Sequence, residues 1–182
     1  MNRRTFLGGA AAALAGSAPL AAAHPKLEIG VTDWNLGLTG KVEAVALARK
    51  LGFEGVQISL GRKIENNQLP LASAEVQARY LEAAKTQGVA LVSTCLDILH
   101  TNYLKNDPLG RKWVADSIPI TKKLNAKVIL LPFFGKGALS TPAEMDYVGD
   151  VLRELGPEAE KAGVVLALEN TISAPDNMRI MD

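Results

Sequence analysis

Four positions do most to limit what this chain can fold into. Gly52, Gly88, Asn125 and Gly163 each close a helix-like stretch and precede a short apolar run, at intervals of 36, 37 and 38 residues. Glycine and asparagine are the residues that end helices in the left-handed conformation. One helix, one strand and two loops need about that length, so the interval reads as a βα repeat. Helices alternating with strands, without hairpin signals between them, argue a parallel sheet. The predicted strands are Leu27–Val31, Gly55–Ile58, Ala90–Ser93, Val128–Leu131 and Val164–Leu168.

The helices carry their own start signals. Lys41–Lys50 presents Val45, Leu47, Ala48 and Leu51 as an apolar face. Ala74–Thr86 starts on Ser73 as N-cap, with Glu75 and Arg79 one turn apart. Asp107-Pro108 is a cap followed by proline at the first helical position, and that helix runs to about Leu124 with a kink expected at Pro119. Thr141-Pro142-Ala143-Glu144 is a capping box. The helix it opens has Met145, Val148, Leu152, Leu155, Ala159 and Ala162 on one face, with a bend or break expected at Gly156-Pro157. After Glu169 the pattern restarts at Ser173-Ala174-Pro175-Asp176, and Asn177–Asp182 begins a helix. An eight-unit barrel takes about 250 residues. The expectation is therefore an α/β fold, a (β/α)8 TIM barrel truncated to about five βα units over residues 24–182, with the last three units lacking.

Residues 1–23 read as a signal peptide. Arg3-Arg4 precedes Phe6-Leu7, an alanine-rich apolar segment follows, and Ala21-Ala22-Ala23 offers a small-residue cleavage site. The paired arginines before a bulky apolar residue resemble a twin-arginine export signal, so an exported, periplasmic protein is expected. A stable membrane span is not expected, because alanine supplies little transfer energy and Pro19 interrupts the segment.

Composition removes several function classes. There are 20 basic and 19 acidic residues, so no charge excess favours nucleic acid. A single cysteine and two histidines leave no material for a disulfide, a Cys-based zinc cluster or a His-rich metal site. What remains is the strand Val164–Leu168, which has no charge and suits burial on both faces. It delivers Glu169 to the carboxyl end of a parallel sheet, where α/β folds keep their chemistry. An acid at the end of a buried strand needs a partner, and a metal ion is one.

The chain resembles the sugar phosphate isomerase/epimerase family, the xylose isomerase-like TIM barrels. The likeness is carried by Gly30-Val31-Thr32-Asp33-Trp34, Leu51-Gly52-Phe53-Glu54-Gly55-Val56-Gln57, Asp107 through Phe134 and Leu166-Ala167-Leu168-Glu169-Asn170. The resemblance implies proton transfer next to a carbonyl through an enediolate. That step wants a base at the carbon and positive charge at the oxygen. It also implies a divalent metal ion (Mn, Mg, Co or Zn) bound by Glu169, with the other ligands, an Asp, a His and a second Glu, beyond residue 182. The truncated chain is then expected to bind metal weakly and to be inactive alone.

Strand order places further candidates around the same mouth. Trp34 walls the sugar or packs at the rim. Gln57 and Ser59 offer hydroxyl partners or are satisfied internally. Cys95 reads as core, whereas Asp97 and His100 follow the third strand as substrate contacts or solvated loop residues. Phe134 lines the pocket, Phe133 or Phe134 packs in the core, and Asn170 orients Glu169 or satisfies loop backbone. The Gly135-Lys136-Gly137 loop is too short to cradle a phosphate. The reading is a metal-dependent sugar isomerase or epimerase with a small carbohydrate substrate, and a homo-oligomer is left open. The alternatives are a keto-sugar or inositol lyase or dehydratase, and a non-catalytic carbohydrate-binding relative.

Overall fold

The computed structural model describes residues 28–181. The expected signal peptide lies outside the described residues. Five parallel strands form one sheet in chain order: β1 (Gly30–Thr32), β2 (Gly55–Ser59), β3 (Ala90–Cys95), β4 (Val128–Pro132) and β5 (Val165–Glu169). Between them run α1 (Glu43–Lys50), α2 (Ala74–Gln87), α3 (Pro108–Lys123) and α4 (Pro142–Ala162), and α5 (Ala174–Met181) follows β5. The repeat seen in the sequence is real in the backbone. Gly52, Gly88, Asn125 and Gly163 all hold positive φ, at 89°, 62°, 58° and 73°.

The helix starts follow their cap chemistry. The Leu109 amide donates to Asp107 Oδ1 at 2.9 Å. The Thr141 amide donates to Glu144 Oε2 at 3.0 Å, and the Glu144 amide donates to Thr141 Oγ1 at 3.3 Å, which completes the capping box. Pro119 and Pro157 sit inside α3 and α4 without ending either helix, so the expected break at Gly156-Pro157 does not occur. Each proline removes one backbone hydrogen bond. The buried faces around them, Trp113, Val114 and Ile118 in α3 and Val151, Leu155 and Ala159 in α4, hold the helices together against that loss.

One layer of core lies between the sheet and its helices. Val56 and Ile58 of β2 and Ile129 and Leu131 of β4 point into it, meeting Ala44, Val45 and Ala48 of α1, Trp113 and Ile118 of α3, and Val148 and Leu155 of α4. The other face of the sheet is the inner face of the barrel arc.

Three sequence expectations need correction here. β5 is not buried on both faces: Val165 is 59% exposed and Leu166 and Leu168 are half-buried, because β5 is an edge of the described sheet and its inner face is open. Leu51, expected on the face of α1, is exposed, because α1 ends at Lys50 and Leu51 belongs to its cap. Arg79 reaches across to Glu43 of α1 at 3.9 Å rather than back to Glu75.

Candidate active site

The carboxyl ends of the strands open on a cavity of about 770 Å³. Its floor is made by Ser59, Cys95, Pro132 and Glu169, from β2, β3, β4 and β5 in turn. Its walls are Trp34, Gly61, Arg62, Lys63, Asp97, His100 and Phe134, from the loops that leave β1 to β4. A parallel sheet puts every strand exit on one rim, so residues far apart in the chain meet there.

Two buried carboxylates fix the geometry of that rim. Asp33, directly after β1, is fully buried. Its Oδ1 accepts from Ser59 Oγ at 2.9 Å, and its Oδ2 accepts from the Ser59 amide at 2.9 Å and the Gly40 amide at 2.8 Å. It thereby ties its own loop to the exit of β2. Asp97 heads a short 3₁₀ turn, Asp97–His100, after β3. Its Oδ1 accepts from the Gly61 amide at 2.9 Å and its Oδ2 from Arg62 Nε at 3.2 Å. Gly61 holds φ +93°, and a Cβ there would lie 2.6 Å from Pro70 Cγ, so only glycine lets the chain turn Arg62 back onto Asp97. Burial raises the Asp97 carboxyl above the usual range, with Arg62 and the Gly61 amide opposing.

Further round the rim, Lys105 donates to Ala138 O at 2.8 Å and pairs with Glu144 at 2.8 Å. That contact binds the loop after β3 to the loop after β4.

Glu169 contrasts with these acids. It is exposed, and among the described residues its carboxylate enters no hydrogen bond or ion pair. The desolvation expected from a buried strand end is therefore absent. His100 is half-buried in the same cavity. Burial lowers its pKa and the nearby Arg62 charge lowers it further, with Asp97 and Glu169 opposing. Burial pushes the Cys95 thiol up, with Asp97 and Glu169 adding to the effect, so it is an inert part of the floor.

The structure brings together Trp34, Asp97, His100, Phe134 and Glu169. It does not bring Gln57 to them: Gln57 lines a separate depression with Gly30, Thr32, Asn35 and Ser93, one layer deeper in the arc. Asn170 faces its own loop. Its Nδ2 donates to Asn177 Oδ1 at 2.8 Å and its Oδ1 accepts from the Ile172 amide at 3.2 Å. Phe133 is core and Phe134 is cavity wall. Sequence reasoning missed Asp33, Arg62 and Lys105 as organisers of the rim. One signal was present: Asp33, Asp97 and Glu169 are acids at the exits of the first, third and fifth strands. Alternate strands of a barrel contribute to the same layer.

A second groove of about 620 Å³ lies between α4, α5 and β5. It is mainly apolar, lined by residues such as Leu152, Val164, Leu166 and Ile180, and its charged members Arg153 and Glu160 are exposed helix positions. It carries no converging polar groups, so the rim cavity is the candidate site.

A metal ion was tested against these side chains. Among the described residues no three His, Cys, Asp or Glu side chains converge to hold one. Asp97 is spent on Gly61 and Arg62, and among the described residues Glu169 is the carboxylate of this cavity that no hydrogen bond or ion pair occupies. The described residues do not build a metal centre. Nor is any described helix long and apolar enough to cross a membrane.

A parallel βα arc with its polar groups gathered at the strand exits defines an α/β-barrel protein. Residues 45–181 match the family described as Xylose isomerase-like TIM barrel, and the chain belongs to that family. It is similar to a 2-epi-5-epi-valiolone 7-phosphate 2-epimerase from Actinoplanes sp., with 27% identity over 146 residues. That alignment covers 79% of this chain and 53% of the relative, so the chain spans about half the length of the curated relative it matches. Among solved structures, 3-keto-D-glucoside 4-epimerase from E. coli aligns with TM-score 0.62 and 18% identity, over 86% of this chain and 64% of that one. A xylose isomerase-like TIM barrel protein from Mycobacterium smegmatis in complex with magnesium aligns with TM-score 0.61 and 16% identity, over 85% of this chain and 60% of that one. Both structures share the fold.

Proposed function

We propose that the chain carries part of the active site of a sugar epimerase or isomerase that moves a proton next to a carbonyl, with Glu169 as the proton-transferring carboxylate. The observation that supports this most is the contrast among the three rim acids. Asp33 and Asp97 are consumed by structure, whereas Glu169 ends β5 in the shared cavity with its carboxylate uncommitted. A carboxylate that is exposed and unpaired can take the proton from a substrate C–H and return it to the neighbouring carbon on the same face, whereas inversion at one carbon needs a second proton donor on the opposite face. Trp34 and Phe134 supply apolar walls against which a sugar ring or chain can lie. The His100 imidazole, whose pKa burial lowers, can hydrogen-bond a hydroxyl. The names of two relatives, both epimerases, support the reaction class.

Glu169 is further proposed as one ligand of a divalent cation, a reading supported by the magnesium complex of the Mycobacterium smegmatis relative. The described residues do not complete such a site.

The test is solvent deuterium wash-in. A version of the protein that carries the remaining strands of the barrel is incubated with D-fructose and other ketoses in D2O, with and without Mg²⁺ or Mn²⁺, and exchange next to the carbonyl is followed by NMR. Glu169→Gln is expected to lower the exchange rate by about 10²-fold or more. Exchange at the parent rate in Glu169→Gln would remove Glu169 from the chemistry. A non-catalytic carbohydrate-binding role is the second reading, supported by the lack of a converging ligand set among the described residues. It predicts ketose-induced changes in Trp34 fluorescence with no exchange at all.

Export by the twin-arginine route is also proposed, supported by Arg3-Arg4 ahead of Phe6-Leu7. Replacing both arginines by lysine, in a pulse-chase fractionation, should leave the precursor in the cytoplasm. Unchanged periplasmic yield would reject the route.

A further inference from the structure

The cavity wall carries two cationic side chains that the proposed proton chemistry does not use, one of them paired with Asp97. Arg62 and Lys63 stand on the β2 side and Glu169 on the β5 side. Arg62 is held unusually well for a side chain that is 55% exposed. Its Nε is fixed by Asp97, whose own side chain is 4% exposed and is anchored in turn by the Gly61 amide. A guanidinium has five N–H donors in a rigid planar fork. Only one is engaged among the described residues, which leaves both Nη groups without a protein acceptor. Lys63 adds a second cation beside it. Its pairing with Glu65 at 3.4 Å joins side chains 89% and 71% exposed, so it offsets little of that charge.

We propose that Arg62, held in place by Asp97, is a subsite for an anionic substituent of the substrate, a phosphate ester or a carboxylate. The proposal rests on reading the cavity as a sugar pocket and deepens it by naming the substrate class and its orientation. A fixed guanidinium with both Nη groups free matches two oxygens of such a group bidentately. Because the Nε contact to Asp97 already restrains the guanidinium, binding costs less side-chain entropy than it would for a free arginine. The charged end of the sugar then sits at the β2 exit, and the far end of the molecule lies across the floor towards Glu169. Asp97 is a positioning residue in this arrangement, since both its oxygens are taken.

The experiment is an NMR titration of the chain at 0.15 M salt with three ketoses: D-fructose, D-fructose 6-phosphate and 5-keto-D-gluconate. NMR reads millimolar affinities, and the Arg62 Nε–H and His100 ring signals report from inside the cavity. At least one anionic ketose is expected to bind about tenfold more tightly than D-fructose. The phosphate and carboxylate arms tell which anion is preferred. Arg62→Gln should abolish that preference, and Arg62→Lys should restore only part of it. Lys161→Gln, on an exposed helix end at the opposite rim, makes the same charge change and should keep the preference whole. Circular dichroism melting checks that each variant is folded. Equal affinity for all three ketoses, or a preference that survives Arg62→Gln or is lost equally in Lys161→Gln, overturns the subsite while leaving the sugar pocket intact. Failure of every ketose to shift either signal overturns the pocket and the subsite together.

Discussion

The exits of β2 and β5 face the same cavity and are built on opposite principles. At β2, the segment from Ser59 to Arg62 is gripped by two buried carboxylates, one from the loop before it and one from the loop after β3. At β5, Glu169 ends in solvent, and the loop that follows is satisfied locally by Asn170 and Asn177. A carboxylate whose oxygens hold loop donors, as those of Asp33 and Asp97 do, cannot also exchange protons with a ligand without dismantling its loop. One that accepts none can. The comparison separates acids that hold the rim from the acid free to act on what the rim encloses, although all three occupy similar places in the sequence pattern.

Asp33→Ala tests the structural side most severely. It strands the buried Ser59 amide and hydroxyl and frees the part-buried Gly40 amide, and the expected loss is about 3 kcal/mol, read as a lower urea midpoint with unchanged slope. A loss under about 1 kcal/mol would mean that the β2 exit is not held this way. The Lys105–Glu144 contact should give a smaller, pH-dependent effect. The Lys105 ammonium, with the Ser140 and Thr141 amides, draws the Glu144 carboxyl from its ordinary 4.5 down to about 2. A carboxyl depressed on folding stabilises the fold above its unfolded pKa, and that contribution fades as pH falls towards its folded pKa. Melting temperature should therefore drop between pH 4.5 and 2 in the parent, and drop less in Lys105→Met. The smallest effect belongs to Glu169→Gln, whose stability should match the parent within about 0.5 kcal/mol in the same urea titration. A large destabilisation there would erase the contrast between the two exits.

Much of the scaffold was legible because its signals are local. A left-handed cap needs glycine or asparagine, and a capping box needs Thr141 and Glu144 three apart, so both could be read from adjacent residues. Glu169 was legible for a similar reason, as the first charge after an apolar strand. The grip on β2 was not legible. Asp33 reaches Ser59 across 26 positions and Asp97 reaches Gly61 across 36, and nothing in either neighbourhood announces a partner. Asn170 carried two readings, orienting Glu169 or satisfying loop backbone, and its Oδ1 accepts from the Ile172 amide as the second requires. Gln57 sits on the inner face as strand alternation requires, but two residues short of the rim.

The contacts that run along the rim have a consequence for how the molecule breathes. Asp33 couples the first βα unit to the second, Asp97 the third to the second, and Lys105 the third to the fourth. Among the described residues no side-chain strap of this kind reaches from these loops to the turn between β5 and α5, where α5 is joined to α4 by the surface pair Arg179–Asp146 and by the buried Ile180. Amide protons in the first four units should then exchange with solvent as one cooperative block, and those around α5 should exchange sooner and independently. The carboxylate that ends β5 sits on the seam between the two, fastened to a firm wall on one side and to a door on the other.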